Sequence, residues 1–247
     1  DGLIRKYKTH PRALQLARNA NFGLTQSLIE ANGEAYTDAL PATPQTRYTL
    51  PTLQLAAHEA FITSAEVVFA VQGGKLLKNA EGYNGHFEVL KTYLSRDYLW
   101  NTVRQMGGAY GCFIQFGQLT GNLAFVSYRD PQVKKTYDAY DGVPAVVAGL
   151  DLPDTVLEQL IVGTYGNFDP LQSAAAKGAT ARNDYLNGID PEYKQQRLTE
   201  ITATTLADLR SFAPAFAAMT ASSHRAIIGN RSKIEAAASL FDTIVEL

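Results

Sequence analysis

The chain has 247 residues, 46% of them hydrophobic and 19% charged, with a formal net charge of -2. That length admits one large domain or two small ones with a substantial core, and the near-neutral charge gives no general case for nucleic acid or an anionic membrane surface. A single cysteine excludes an internal disulfide, and no apolar run reaches membrane-spanning length.

The start, Asp1-Gly2-Leu3-Ile4-Arg5, has neither an initiator Met nor the apolar segment of a signal peptide, so a trimmed chain or a piece of a longer one is expected. Leu3 to Lys8 alternates imperfectly and predicts a short strand. Thr9 can cap a helix with Pro11 in its first turn, and the helical pattern from Leu14 runs to about Ala31, where Asn32-Gly33 ends it. Residues 33–57, with Pro41, Pro44 and Pro51, predict a loop or linker. Ala60 to Val71 is rich in β-favouring residues and predicts a strand closed by Gly73-Gly74.

Phe87, Leu90, Leu94 and Tyr98 follow helical spacing, and Val89, Tyr93, Trp100 and Val103 make a second apolar row. A helix apolar on two sides is a buried one. Gly107-Gly108 should stop it, because glycine readily takes the left-handed conformation that ends helices. Gly111 to Phe116 then predicts a strand, paired through Gly117–Gly121 with a second one over Leu123 to Tyr128. Helices are expected from Pro131 through Tyr140, from Pro153, after Pro170 and from Pro191, the last including Leu198, Ile201, Leu206, Leu209 and Phe212. Arg225 to Ile228 predicts a late strand and Ser232 to Val245 a terminal helix. The order predicts an α+β fold, a largely antiparallel sheet covered by helices.

The turn after the buried helix carries the most chemistry. Arg104 falls in its last turn and Tyr110 where the next strand begins, so a guanidinium and a phenol are expected close together on rigid elements. Five forked N–H donors beside one O–H suit an oxyanion or a peptide carbonyl. The spacing equally allows Arg104 to bind helix-end carbonyls, as cations do there for structural reasons, with Tyr110 half-buried. Gly107 and Gly108 would permit close backbone approach, and with Ala109 they are the candidate substrate-binding residues. Other candidates are plainer. Cys112 is read as a small core residue, the Arg129-Asp130 pair as a loop-fixing contact, and Tyr137, Tyr140 and Asp141 as one helix face. His10, His58, His86 and His224 are read as surface or helix-end residues, because none belongs to an H-x-x-E-H or H-E-x-x-H set.

Arg104 followed by Gly107-Gly108-Ala109-Tyr110-Gly111, then Ser127-Tyr128-Arg129-Asp130-Pro131, resembles the C-terminal half of the presequence protease branch of the pitrilysin family. The likeness continues through Lys135–Gly142, Ile161–Gly166 and Ala176-Lys177-Gly178 to the helix from Pro191, covering roughly residues 60–245. The resemblance implies one pitrilysin-type domain over 1–247, with 1–50 matching less clearly. It implies a zinc metalloendopeptidase of unfolded peptides, with zinc and the general base in an N-terminal catalytic half that this chain lacks. It further implies that Arg104 and Tyr110 reach that half's active site. The compartment expected is bacterial cytosol or an organelle matrix. A non-catalytic, peptide-holding scaffold is the alternative, and neither nucleic acid nor membrane is an expected partner.

Overall fold

Alternation is what organises the sheet. In the computed structural model of the chain, which describes residues 56–78, 82–168 and 170–247, six strands form one mixed sheet. They are β1 (His58–Thr63), β2 (Val68–Lys75), β3 (Gly111–Phe116), β4 (Asn122–Asp130), β5 (His224–Asn230) and β6 (Thr243–Glu246). Their order is β3-β4-β2-β5-β1-β6. Three of the five pairings (β3–β4, β4–β2 and β2–β5) are antiparallel, whereas β1 lies parallel to both β5 and β6. The expected strand at Leu3–Lys8, the helix to Ala31 and nearly all of the 33–57 loop lie outside the described residues.

Val68, Ala70 and Gln72 of β2, Leu123, Phe125 and Ser127 of β4 and Ile227 of β5 point to the buried face, as period-2 alternation requires. The helices that follow in chain order are α1 (Gly85–Tyr93), α2 (Lys134–Asp141), α3 (Val143–Ala148), α4 (Asp154–Phe168), α5 (Ala174–Asn187), α6 (Pro191–Thr202), α7 (Leu206–Arg210), α8 (Ala213–Ala221) and α9 (Arg231–Glu235). Phe87 of α1 lies at the centre of the packing, its ring 4.5 Å from Phe116, 5.4 Å from Phe212 and 6.4 Å from Phe216. Phe125 stacks on Tyr140 at 5.2 Å and on Phe216 at 6.3 Å, joining β4 to α2 and α8. The opposite sheet face leaves Phe69, Phe113, Ile228 and Val245 each 38–41% exposed.

One polar network crosses the buried layer. Gln72 donates to Asp141 Oδ1 at 2.7 Å and to Ser223 Oγ at 3.1 Å, while Arg225 donates to Asp141 Oδ2 at 2.7 Å. Buried polar groups stay cheap only when paired in this way. The predicted helix face of Tyr137, Tyr140 and Asp141 therefore faces inward: Tyr137 is buried and donates to the carbonyl of Ala226.

By its contacts the chain divides into two compact units. The smaller includes residues 170–196, and the larger includes 56–78, 82–168 and 197–247. Within the smaller unit, Ser173 caps α5 by accepting from the Ala176 amide, and Gly188, at φ +68°, ends it.

Four sequence expectations need correction. The single strand over Ala60–Val71 is two, because Ser64–Val67 breaks the run and the Ala65 carbonyl accepts from Asn230 instead. Gly73 and Gly74 do not close a strand but lie inside β2, where a Cβ on Gly73 would stand 2.7 Å from the Leu123 carbonyl. The helix expected over Ser232–Val245 stops at Glu235. The β-branched pair Ile244-Val245 instead joins the sheet as β6, led in by Asp242, which accepts from the His58 amide. The run from Pro191 to Phe212 is also interrupted, since Thr205 and Asp208 build a capping box that starts a new helix at Leu206.

Candidate functional site

Asn84 opens α1 by accepting from the Phe87 amide. Beyond Tyr93 the helix does not end but widens. Residues Leu94–Tyr98 and Trp100–Gln105 are π-helical, and the Met106 amide reaches back five residues to the Asn101 carbonyl at 2.9 Å. Such stretches are uncommon and occur frequently at functional sites. Two contacts pin this one. Thr102 donates to the Tyr98 carbonyl at 2.6 Å, and Tyr98 Oη donates to the Ala139 carbonyl of α2 at 2.8 Å.

The stop is glycine chemistry, as expected. Gly108 has φ +83°, its amide donates to the Arg104 carbonyl, and the Ala109 amide donates to the Val103 carbonyl. A Cβ on Gly107 would stand 2.4 Å from the Val103 carbonyl oxygen, so that close pass needs glycine. Ala109 is buried, which turns its methyl to the core and leaves Gly108 as the open part of the turn.

Arg104 and Tyr110 are brought together across this turn. Arg104 Nε donates to the Tyr110 carbonyl at 3.0 Å, and the guanidinium lies 3.9 Å above the Trp100 ring. Its Nη groups donate to no described residue, and neither does the Tyr110 phenol, which is 61% exposed. The guanidinium is thus held by one bond to a backbone carbonyl just beyond the helix and by one ring, with its remaining donors open.

Tyr110 has its own supports. Its ring meets Tyr128 edge to face at 5.5 Å, its amide donates to the Arg129 carbonyl at 3.3 Å, and the Arg129 guanidinium lies 5.5 Å from its centroid. Trp100, Tyr128 and Arg129 were not singled out for a site from sequence. The Trp100–Arg104 spacing of four is the helical signal that could have found the first. The Arg129-Asp130 pair splits in role. Buried Asp130 fixes the loop, accepting from the Gln132 amide at 2.8 Å and from Thr136 Oγ1 at 2.7 Å, while Arg129 turns to Tyr110.

The remaining candidates hold no comparable arrangement. Burial pushes the Cys112 thiol up to about 12, with its Sγ 3.8 Å from Tyr140 Oη, so at neutral pH it is a protonated, poor nucleophile. His86 Nδ1 lies 3.0 Å from Thr204 Oγ1, His58 starts β1 and His224 is exposed at the head of β5. His10 lies outside the described residues. Among the described residues no cluster of three His, Cys, Asp or Glu could hold a metal ion, so these side chains do not fit zinc.

The fold defines a class. A solved peptidase M16 inactive domain from Pseudomonas fluorescens superposes with a TM-score of 0.60 at 12% identity, over 84% of this chain and 52% of that one. The periplasmic protease PqqL from Escherichia coli superposes at 0.56 and 10% identity, over 83% of this chain and 24% of that one. The α+β architecture is therefore that of pitrilysin-like M16 domains.

Sequence narrows the class. The family profile described as PreP C-terminal domain matches residues 58–230, and the chain belongs to that family. It is 33% identical over 187 residues to Protein HypA of Clostridium perfringens, covering 76% of this chain and 19% of that protein. It is 35% identical over 158 residues to Presequence protease 1, chloroplastic/mitochondrial, of Arabidopsis thaliana, covering 64% of this chain and 15% of that protein. The chain thus spans less than a fifth of the length of these relatives.

Proposed function

We propose that this chain is the C-terminal, non-zinc-binding domain of a zinc metalloendopeptidase that degrades unfolded peptides. It would wall part of the substrate chamber and present Arg104 and Tyr110 to the active site of an N-terminal half. The observation that carries this reading is the Arg104 guanidinium, tied by Nε to the Tyr110 carbonyl at the end of a π-helical turn, with its Nη groups and the exposed Tyr110 phenol uncommitted among the described residues. Donors fixed before the reaction stabilise a carbonyl oxygen as it gains negative charge, with little reorganisation. The exposed apolar sheet face around Phe69, Phe113 and Ile228 supports a surface for unfolded segments. Zinc and its water-activating carboxylate belong, in this reading, to the other half, since the chain has no H-x-x-E-H. The relatives named as chloroplastic or mitochondrial proteases support an organelle matrix, with bacterial cytosol for a bacterial parent.

The chain by itself should bind no zinc tightly and cleave no unstructured peptide of a few tens of residues. Metal analysis and a peptide digest check this. Stoichiometric zinc with cleavage that a chelator abolishes would mean that the chain carries its own catalytic centre and that the division of labour is wrong. Peptide binding without any activity in the parent polypeptide would favour the scaffold alternative.

A further inference from the structure

Arg129 is the sole non-glycine residue among those described with a positive φ, at +48°. A side chain in the left-handed region costs energy, and residues held there cluster at functional sites. Arg129 lies where β4 carries one extra residue opposite Val68–Ala70 of β2, a bulge of the kind that re-aims a side chain, while Asp130 fixes the following loop through Gln132 and Thr136. What that conformation delivers is two contacts to one residue. Its carbonyl accepts from the Tyr110 amide, and its guanidinium caps the Tyr110 ring at 5.5 Å. A third support comes from Tyr128, which lies so close over Gly111 that a Cβ there would stand 2.2 Å from Cε1. Tyr128 meets Tyr110 edge to face from that position. Tyr110 is otherwise an exposed ring with freedom to swing about its χ angles.

We infer that Arg129 is a positioning residue for Tyr110: the strained backbone of the β4 bulge holds the Tyr110 amide, and the cation over the ring face sets the direction of its phenol. This rests on the proposed role of Tyr110 as a substrate-facing donor. A cation against a ring face is an attraction that Ala or Gly cannot supply.

Arg129→Gly separates the two parts of the device, because glycine takes the same backbone without strain while the guanidinium is lost. In the full-length polypeptide that contains this chain, Arg129→Gly should lower kcat by about tenfold with KM within about twofold of the parent. The Tm should stay equal or rise, as a residue needed only for stability would not allow. Arg129→Lys should recover part of the loss. In a Tyr110→Phe background, Arg129→Gly should cost nothing further, since the phenol it directs is gone. Full kcat in Arg129→Gly, or the same fold loss with and without the phenol, would overturn the inference. If Tyr110→Phe itself leaves kcat unchanged, the proposed function falls and this inference with it. If Tyr110→Phe is impaired and Arg129→Gly is not, this inference alone falls.

Discussion

Arg104→Ala in the full-length polypeptide is expected to lower kcat/KM by on the order of 10²-fold or more, the scale of losing a donor to a developing oxyanion. Two parts of the geometry make this the largest functional effect. The Nη groups donate to no described residue, and the Nε bond to the Tyr110 carbonyl ties the guanidinium to the backbone of the residue that carries the phenol. Alanine removes both. Arg104→Lys keeps a charge but loses the planar fork and the Nε tether, and should recover little. Tyr110→Phe is the cleaner test, because the ring stays against Tyr128 and Arg129 while only the hydroxyl is lost. It too should fall by on the order of 10²-fold, mostly in kcat, if the bond strengthens in the transition state. Steady-state kinetics on an unstructured peptide decide the matter. Unchanged kcat/KM in both variants would refute the assignment.

The second large effect is on stability. Phe87→Ala should destabilise the chain by about 3–5 kcal/mol, the usual range for removing a fully buried aromatic ring. Phe87 has no exposed surface and touches the rings of Phe116, Phe212 and Phe216, so its loss opens a cavity where α1, β3, α8 and the residue before α8 meet. Rigid rings on several elements limit collapse into that space, which places the cost in the upper part of the range. Urea titration monitored by far-UV circular dichroism measures it. A loss below about 1 kcal/mol would mean that the aromatic cluster is not the packed centre of this unit. The effect also bears on the site, because α1 and its π-helical extension carry Arg104.

Much of this architecture was legible from residue pattern. The two apolar rows from Phe87 to Val103 predicted a buried helix, Gly107-Gly108 its end, and the alternation on either side of Gly117–Gly121 a hairpin. Each signal is local, so each survives tertiary assembly. What was not legible depends on partners distant in sequence. The C-terminal segment reads as a helix until β1 stands beside it, and then Ile244 and Val245 are better placed as a parallel strand. Likewise a break at Ser64–Val67 is decided by Asn230, which lies far along the chain. The site divides in the same way. Arg104 and Tyr110 were readable as neighbours because six residues and a glycine turn join them. The wider π-helical turn, the Trp100 stack and the Arg129 cap were not, because they depend on backbone angles and on β4 lying beside the start of β3.

The central claim is that this domain lends two donors to chemistry performed by another half of the same polypeptide. The most direct measurement is a structure of that full-length polypeptide with its general-base carboxylate replaced by the amide and an uncleaved peptide bound. The account predicts Arg104 Nη and Tyr110 Oη within hydrogen-bond distance, about 2.7–3.2 Å, of the scissile carbonyl or the adjacent peptide backbone. A bound peptide with both groups facing solvent, or contacting only their own domain, would contradict it.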